Sequence, residues 1–275
     1  MKRRANLKWV GGNVLSWVII VALTIYGVFV VALYYQQEKI IFPGTSLPAD
    51  HQFHFDVPYE ELNVPVSGAQ LNALLFKQPA PRGLVFFIHG NAGNLETWTT
   101  GVDYYARVNY DMFIFDYRGY GKSTGQVQSE KQLHADVRQA WDFIAPQYEG
   151  KPIVIYGRSL GAALAAKLAR EVEPELLVLV SSFTSMTAMA KQQYPLLPAW
   201  VLRYPLSTDE LIGDIRSPTI FVHGSDDRFI DVSHSRTLHS LMQVPAALLV
   251  VEGADHNDIH NFKTYLDGLT DALPD

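Results

Sequence analysis

Gly157-Arg158-Ser159-Leu160-Gly161 sits directly after the apolar run 152–156 and before the Ala- and Leu-rich run 162–171. A G-x-S-x-G turn places its serine at the tip of a sharp strand-to-helix bend, in a conformation that a neighbouring Cβ obstructs, so glycine is wanted two residues to either side. The serine oxygen then stands above a helix N-terminus, where unpaired N–H groups favour negative charge. Five such residues also occur by chance in long chains, so the surroundings must carry the argument.

Those surroundings fit. The stretch 151–156 (KPIVIY) is short, β-branched and bounded by Gly150 and Gly157, as expected of a buried parallel strand. The run 160–170 has no Gly or Pro after Gly161 and is expected to be helical. Downstream, 218–222 (PTIFV) reads as a strand ending in His223-Gly224-Ser225-Asp226-Asp227, and 246–251 (AALLVV) as a strand ending in Glu252-Gly253-Ala254-Asp255-His256-Asn257-Asp258. A serine, a pair of acids and a histidine therefore each follow the C-terminal end of a strand, where open α/β sheets collect their ligands. Upstream, 61–66 and 70–76 read as a hairpin, while 84–88 (LVFFI) and 112–115 read as buried strands.

The 275 residues, 48% of them hydrophobic, suffice for one α/β domain after an N-terminal segment is set aside. A net charge of -6 gives no electrostatic reason to expect a nucleic-acid partner. The chain has no cysteine, which removes disulfides, thiolate metal sites and a cysteine nucleophile. His256 and His260 have the i, i+4 spacing of a zinc-protease helix, but Asn257 stands where that motif needs glutamate. Asp116 replaces the first glycine that a P-loop ending in Gly121-Lys122-Ser123 requires, and Thr124 the third glycine of a dinucleotide fingerprint. No metal or cofactor is implied.

No charged residue occurs from Trp9 to Gln37, and 14–33 is almost wholly apolar, about 30 Å of helix. The expected organisation is a basic cytoplasmic tail (1–9), an uncleaved transmembrane signal anchor (10–35, starting between Val10 and Val14), a connector (36–58) packed on the domain surface, and a domain over 59–275. Lys2, Arg3, Arg4 and Lys8 precede the span, so the positive-inside rule keeps the N-terminus cytoplasmic and exports the domain to a periplasm or lumen, at the inner membrane if the source is bacterial. Trp9, Tyr34 and Tyr35 suit interfacial belts; Trp17 suits either a belt or the span.

The ordered set His89-Gly90-Asn91-Ala92-Gly93-Asn94, Asp116-Tyr117-Arg118-Gly119-Tyr120-Gly121-Lys122-Ser123, Gly157-Arg158-Ser159-Leu160-Gly161, His223-Gly224 with an acid three residues on, and Gly253-Ala254-Asp255-His256-Asn257-Asp258 resembles the Bem46-like group of α/β-hydrolase domain proteins, from about Glu38 onward. The resemblance implies an α/β-hydrolase fold: a mostly parallel sheet, helices on both faces and a small cap, here after one transmembrane helix. It also implies a serine hydrolase of acyl esters or thioesters. The family's chain order of serine, acid, histidine is kept. Under the family pattern His-Gly-x-x-Asp the acid is Asp227, with Asp226 as a surface or loop-capping residue. His256 is the general base, while His234, His239 and His260 are expected on solvated helical stretches. The backbone N–H groups of Asn91 and Leu160 are the expected oxyanion donors, and His89 is expected to brace its loop. The chain departs from mammalian protein-depalmitoylating members, whose Cys-rich lipidation segment is replaced here by the hydrophobic span.

Segment 183–211 is rich in apolar residues, including Met186, Met189, Tyr194, Leu196, Leu197 and Trp200. It reads either as a cap over Ser159 or as a helix packed on the sheet. The leading expectation is a membrane-attached hydrolase of small-molecule or lipid esters. A peptidase or amidase uses the same residues, although no propeller domain is present to select peptides, and a non-catalytic membrane-tethered scaffold keeps the same fold. Protein partners are not legible in the residues.

Overall fold

The structure is a computed structural model that describes residues 5–99 and 101–274. Lys2, Arg3 and Arg4 of the basic tail lie outside the described residues, as do the side chains of Lys8 and Trp9. The strands are β1 (Tyr59–Val66), β2 (Ala69–Phe76), β3 (Leu84–Ile88), β4 (Asp111–Phe115), β5 (Ile153–Arg158), β6 (Leu176–Val180), β7 (Thr219–Gly224) and β8 (Ala246–Val251). The helices are α1 (Ala5–Ile41), α2 (Leu95–Trp98), α3 (Asp103–Arg107), α4 (Glu130–Ile144), α5 (Leu160–Val172), α6 (Met186–Gln193), α7 (Ser233–Leu241) and α8 (Lys263–Ala272).

The strands form one sheet in the order β1-β2-β4-β3-β5-β6-β7-β8. The β1–β2 and β2–β4 pairs are antiparallel, and the strands from β4 through β8 run parallel. Side-chain alternation divides each central strand between two cores. In β3, Leu84, Phe86 and Ile88 face the layer built by α4, α5 and α7, and Val85 and Phe87 face the layer of α2, α3 and α8. Both faces are covered, which is why these strands read as unbroken apolar runs. Phe86 stacks on Phe113 and meets Trp141 edge-on across the first layer. Burying each such ring stabilises the fold by about 1.5–3 kcal/mol.

Two strand ends lie beyond their expected positions. β5 continues through Gly157 and Arg158 because Gly157 pairs with Ile88 and Leu179 and Arg158 with Val180. β7 continues through His223 and Gly224, which pair with Val250 and Val251. Glycines legible as turn residues thus belong to the last rungs of the sheet, and the turns begin two residues later than expected.

α1 also extends further than the expected span of 10–35. It continues to Ile41, where Pro43 ends it, because Gln36, Gln37, Glu38 and Lys39 are good helix formers. The stretch Val14–Ile41 is apolar and long enough to cross a membrane, with a mean hydropathy of 2.6 in its most apolar window. Up to Phe29 its side chains are exposed, whereas Val30, Gln37 and Ile41 are buried along one stripe against the domain. The stretch after α1 is bound to the domain: Thr45 N–H donates to Gly93 and Leu47 N–H to Gly121, and Phe42 and Phe53 are buried.

At the β5–α5 junction Ser159 has φ 54° and ψ -120°, and its N–H donates to Val180. A Cβ on Gly161 would collide with the main-chain oxygen of Ile88, and one on Gly157 with that of Gly161. Gly161→Ala is therefore expected to destabilise the protein by about 3 kcal/mol or more, the upper end for overpacking, since backbone has to yield; chemical denaturation of the detergent-solubilised variant measures it.

Candidate active site

Three strand ends deliver the polar residues. Ser159 follows β5, Asp227 lies in the turn after β7, and His256 lies in the loop after β8. His256 Nδ1 is 2.8 Å from Asp227 Oδ2, and His256 Nε2 is 3.2 Å from Ser159 Oγ. A carboxylate only accepts, so Nδ1 carries the proton toward Asp227 and Nε2 is left as the acceptor facing the serine hydroxyl.

Asp227 is fixed by a division of labour between its oxygens. Oδ1 accepts from the N–H groups of Phe229 and Ile230 at 3.0 and 2.8 Å, which leaves Oδ2 for His256. Burial alone would raise its pKa, but hydrogen bonding from His223 and His256 and from the Ile230 N–H outweighs burial and holds the carboxyl well below the usual range. His223 is fully buried, and its Nε2 lies 2.8 Å from the Ile230 oxygen and 3.4 Å from Asp227 Oδ2. Because that carbonyl can only accept, Nε2 bears the hydrogen, and Nδ1 accepts from Ser235 Oγ at 2.6 Å. Asp226 is exposed and accepts from Ser225 Oγ.

The loop carrying His256 is braced internally. Asp255 Oδ1 accepts from the His256 N–H at 2.7 Å and from the Arg228 N–H at 3.2 Å, and Asp258 Oδ1 accepts from the Asp255 N–H. Arg158 donates to the His256 carbonyl oxygen at 2.7 Å and lies over the Trp98 ring. The motif reading left Arg158 without a role; its partner is far along the chain, so no local pattern marks it.

His89 is buried, and its Nδ1 donates to the carbonyl of Gly90 at 2.7 Å. That carbonyl and the Asn91 N–H belong to one planar trans peptide, so holding one end aims the other. Tyr117 and Tyr120, from the loop after β4, donate to the carbonyls of His89 and Asn91, each at 2.5 Å. These tyrosines clamp the loop, a role that no local pattern in 116–123 marks. Leu160 opens α5, where a helix leaves its first N–H groups free of intrahelical partners. Asn91, Ser159 and Leu160 all line one cavity of about 440 Å³.

The walls of that cavity are apolar. Met186, Met189 and Ala190 of α6 and Leu197 of the following loop line it together with Ser159, while Phe183, Met189 and Tyr204 of the same segment 183–211 also join the core. Leu33, Ile40 and Ile41 of α1 close another side. A second cavity of about 790 Å³ lies beside Arg158 and Trp98 and does not include Ser159.

The other histidines differ from expectation. His234 is buried rather than solvated, held at 3.0 Å from Thr184 Oγ1 and 3.3 Å from Gln192, and burial lowers its pKa. His239 is half-buried against the Ala246 oxygen, and His260 half-buried near Arg158. Their helical stretches face the domain rather than water. Among the described residues no group of three His, Cys, Asp or Glu side chains could hold a metal ion.

Known proteins resemble this chain in sequence and fold. The family described as "Serine aminopeptidase, S33" matches residues 79–208, a stretch that includes Ser159 and stops before Asp227 and His256. Alpha/beta hydrolase domain-containing protein 17B of Xenopus laevis is 34% identical over 196 residues, covering 70% of this chain and 66% of the relative, just under two thirds of its length. The Homo sapiens 17B protein gives the same identity and coverage. Among solved structures, an esterase from Pyrococcus furiosus superposes with a TM-score of 0.65 at 17% identity, covering 84% of this chain and 96% of the esterase, a likeness of fold. With the parallel sheet, the serine at the β5–α5 bend and relatives of this similarity, the chain belongs to the α/β-hydrolase family.

Proposed function

We propose that the chain is a membrane-anchored serine hydrolase that cleaves carboxylic esters of acyl or lipid-like substrates. The observation that carries this reading is the hydrogen-bonded line from Asp227 through His256 to Ser159 Oγ, ending in an apolar cavity. His256 Nε2 takes the hydroxyl proton as Ser159 Oγ bonds to the substrate carbonyl carbon. Asp227 stabilises the imidazolium, and the N–H groups of Asn91 and Leu160 bind the oxyanion. His256 then returns the proton to the leaving alcohol, and water, deprotonated by the same histidine, releases the acid and frees Ser159. The anchor is α1, with the N-terminus cytoplasmic and the domain exported, as the basic residues before the span support.

The matched family's description also supports an aminopeptidase reading. The cavity argues against it, since its walls present methionine, leucine and isoleucine side chains, suited to an acyl chain rather than to a charged amino terminus.

Fluorophosphonate labelling of the detergent-solubilised chain, with Ser159→Ala as the control, tests the nucleophile: wild type is expected to label and the variant not. p-Nitrophenyl esters of increasing chain length should be cleaved and aminoacyl naphthylamides not. No labelling of folded wild type would overturn the hydrolase reading in favour of a scaffold, and preference for the naphthylamides would favour the peptidase. Asp227→Asn should lower kcat by about 10⁴-fold by leaving the imidazole in the wrong tautomer, while Asp226→Asn should stay near wild type.

Asp227 also predicts an acid response. A carboxyl with a depressed folded-state pKa contributes stability that is complete above its unfolded value of about 3.9 and is lost as pH falls toward the folded value. Wild type should thus exceed Asp227→Asn in stability near neutrality, and the gap should narrow below about pH 4, as denaturation midpoints across pH will record.

A further inference from the structure

The loop after α6 lies against α1 at the level of Tyr26, well inside the apolar part of that helix. Tyr26 donates its hydroxyl to the Leu196 carbonyl at 2.6 Å. Nearer the domain, Gln37 Nε2 donates to Val201 O at 2.7 Å, its Oε1 accepts from Arg203 N–H at 2.8 Å, and Arg203 pairs with Glu38 at 2.6 Å. From Glu38 back to Tyr26 is about 18 Å of helix axis. Segment 183–211 therefore follows α1 for a distance comparable to half the hydrocarbon thickness of a bilayer, about 15 Å.

The loop is composed for such a place. No charged residue occurs between Lys191 and Arg203. Leu196 is 82% and Trp200 72% exposed, large apolar side chains turned away from the protein. Backbone polar groups in hydrocarbon require partners. Pro195 and Pro198 have no N–H, the N–H groups of Tyr194 and Leu197 donate to Ala190 and Tyr194, and the Leu196 carbonyl is capped by the Tyr26 hydroxyl.

We propose that loop 194–200 is embedded in the bilayer leaflet surrounding α1, and that the Ser159 cavity opens sideways to lipid between this loop and α1. The substrate is then an ester already resident in the membrane, whose acyl chain reaches Ser159 without crossing water. Leu33 and Ile40 of α1, with Tyr194 and Leu197 of the loop, line the cavity that holds Ser159, so its walls are continuous with the helix that meets lipid. This inference rests on the readings of Ser159 as nucleophile and of α1 as the membrane span.

The absence of native cysteine permits a single label. The full chain carrying Leu196→Cys is spin-labelled in phosphatidylcholine–phosphatidylglycerol liposomes and compared with Glu149→Cys, an exposed position at the other end of the sheet. Power saturation should show the label at 196 relaxed more by oxygen than by a water-soluble nickel chelate, and the reverse at 149. Chelate access at 196 equal to that at 149 would overturn the embedding. In the same liposomes, Leu196→Asp combined with Trp200→Glu should reduce hydrolysis of a long-chain ester held in the bilayer at least tenfold and leave p-nitrophenyl acetate turnover unchanged. Equal loss on both substrates, or no loss on the bilayer ester, would overturn the lateral route. Absence of p-nitrophenyl acetate turnover in wild type would instead sink the hydrolase reading, while the label depth still locates the loop.

Discussion

The close contact between the start of α5 and the end of β3 governs the rest of the molecule. Gly161 lies against the Ile88 main chain so tightly that no side chain fits. Only that approach lets β5 turn into a helix within one residue, and it obliges Ser159 to take a positive φ that L-residues seldom adopt. A relaxed turn would return the serine to the plane of the sheet, away from His256. The surrounding rigidity follows: β5 is the strand flanked by β3 and β6, and the extra pairing of Gly157 and Arg158 holds the bend on both sides.

Around that bend, the loops at the strand ends are immobilised by bonds between distant segments. Tyr117 and Tyr120 grip the carbonyls of the β3 loop, the connector after α1 bonds to Gly93 and Gly121, and Arg158 reaches the His256 carbonyl. Preorganised donors stabilise developing charge best when they need not move during reaction. Here the orientation of the Gly90–Asn91 peptide depends on His89 within the loop and on two tyrosines from the loop after β4.

What was legible in the chain and what was not divides along physical lines. Apolar runs such as 84–88 and 246–251 announce strands buried on both faces, because local composition reflects burial. Ser159, Asp227 and His256 were readable because each follows a strand at motif spacing. Strand ends were less so: pairing with neighbours carries β5 and β7 through glycines that look like turns. The end of α1 was missed for a related reason. Gln37 and Glu38 read as a polar connector, yet their polarity is used against segment 183–211, through Val201, Arg203 and Tyr204. His234 was misplaced because a histidine on a polar helix gives no sign of the Thr184 and Gln192 partners that bury it.

The hydrogen bonds that join Gln37 to Val201 and Arg203 have a practical bearing on how this protein is handled. Hydrophobic N-terminal segments are routinely cut away to obtain water-soluble enzymes, on the premise that tether and catalyst are separate modules. In this chain a cut just before Phe42 strips Leu33, Ile40 and Ile41 from the cavity and leaves Val201 and Arg203 without their Gln37 partner. A form trimmed there would present a different, wider cavity beside Ser159 from the one the intact polypeptide presents.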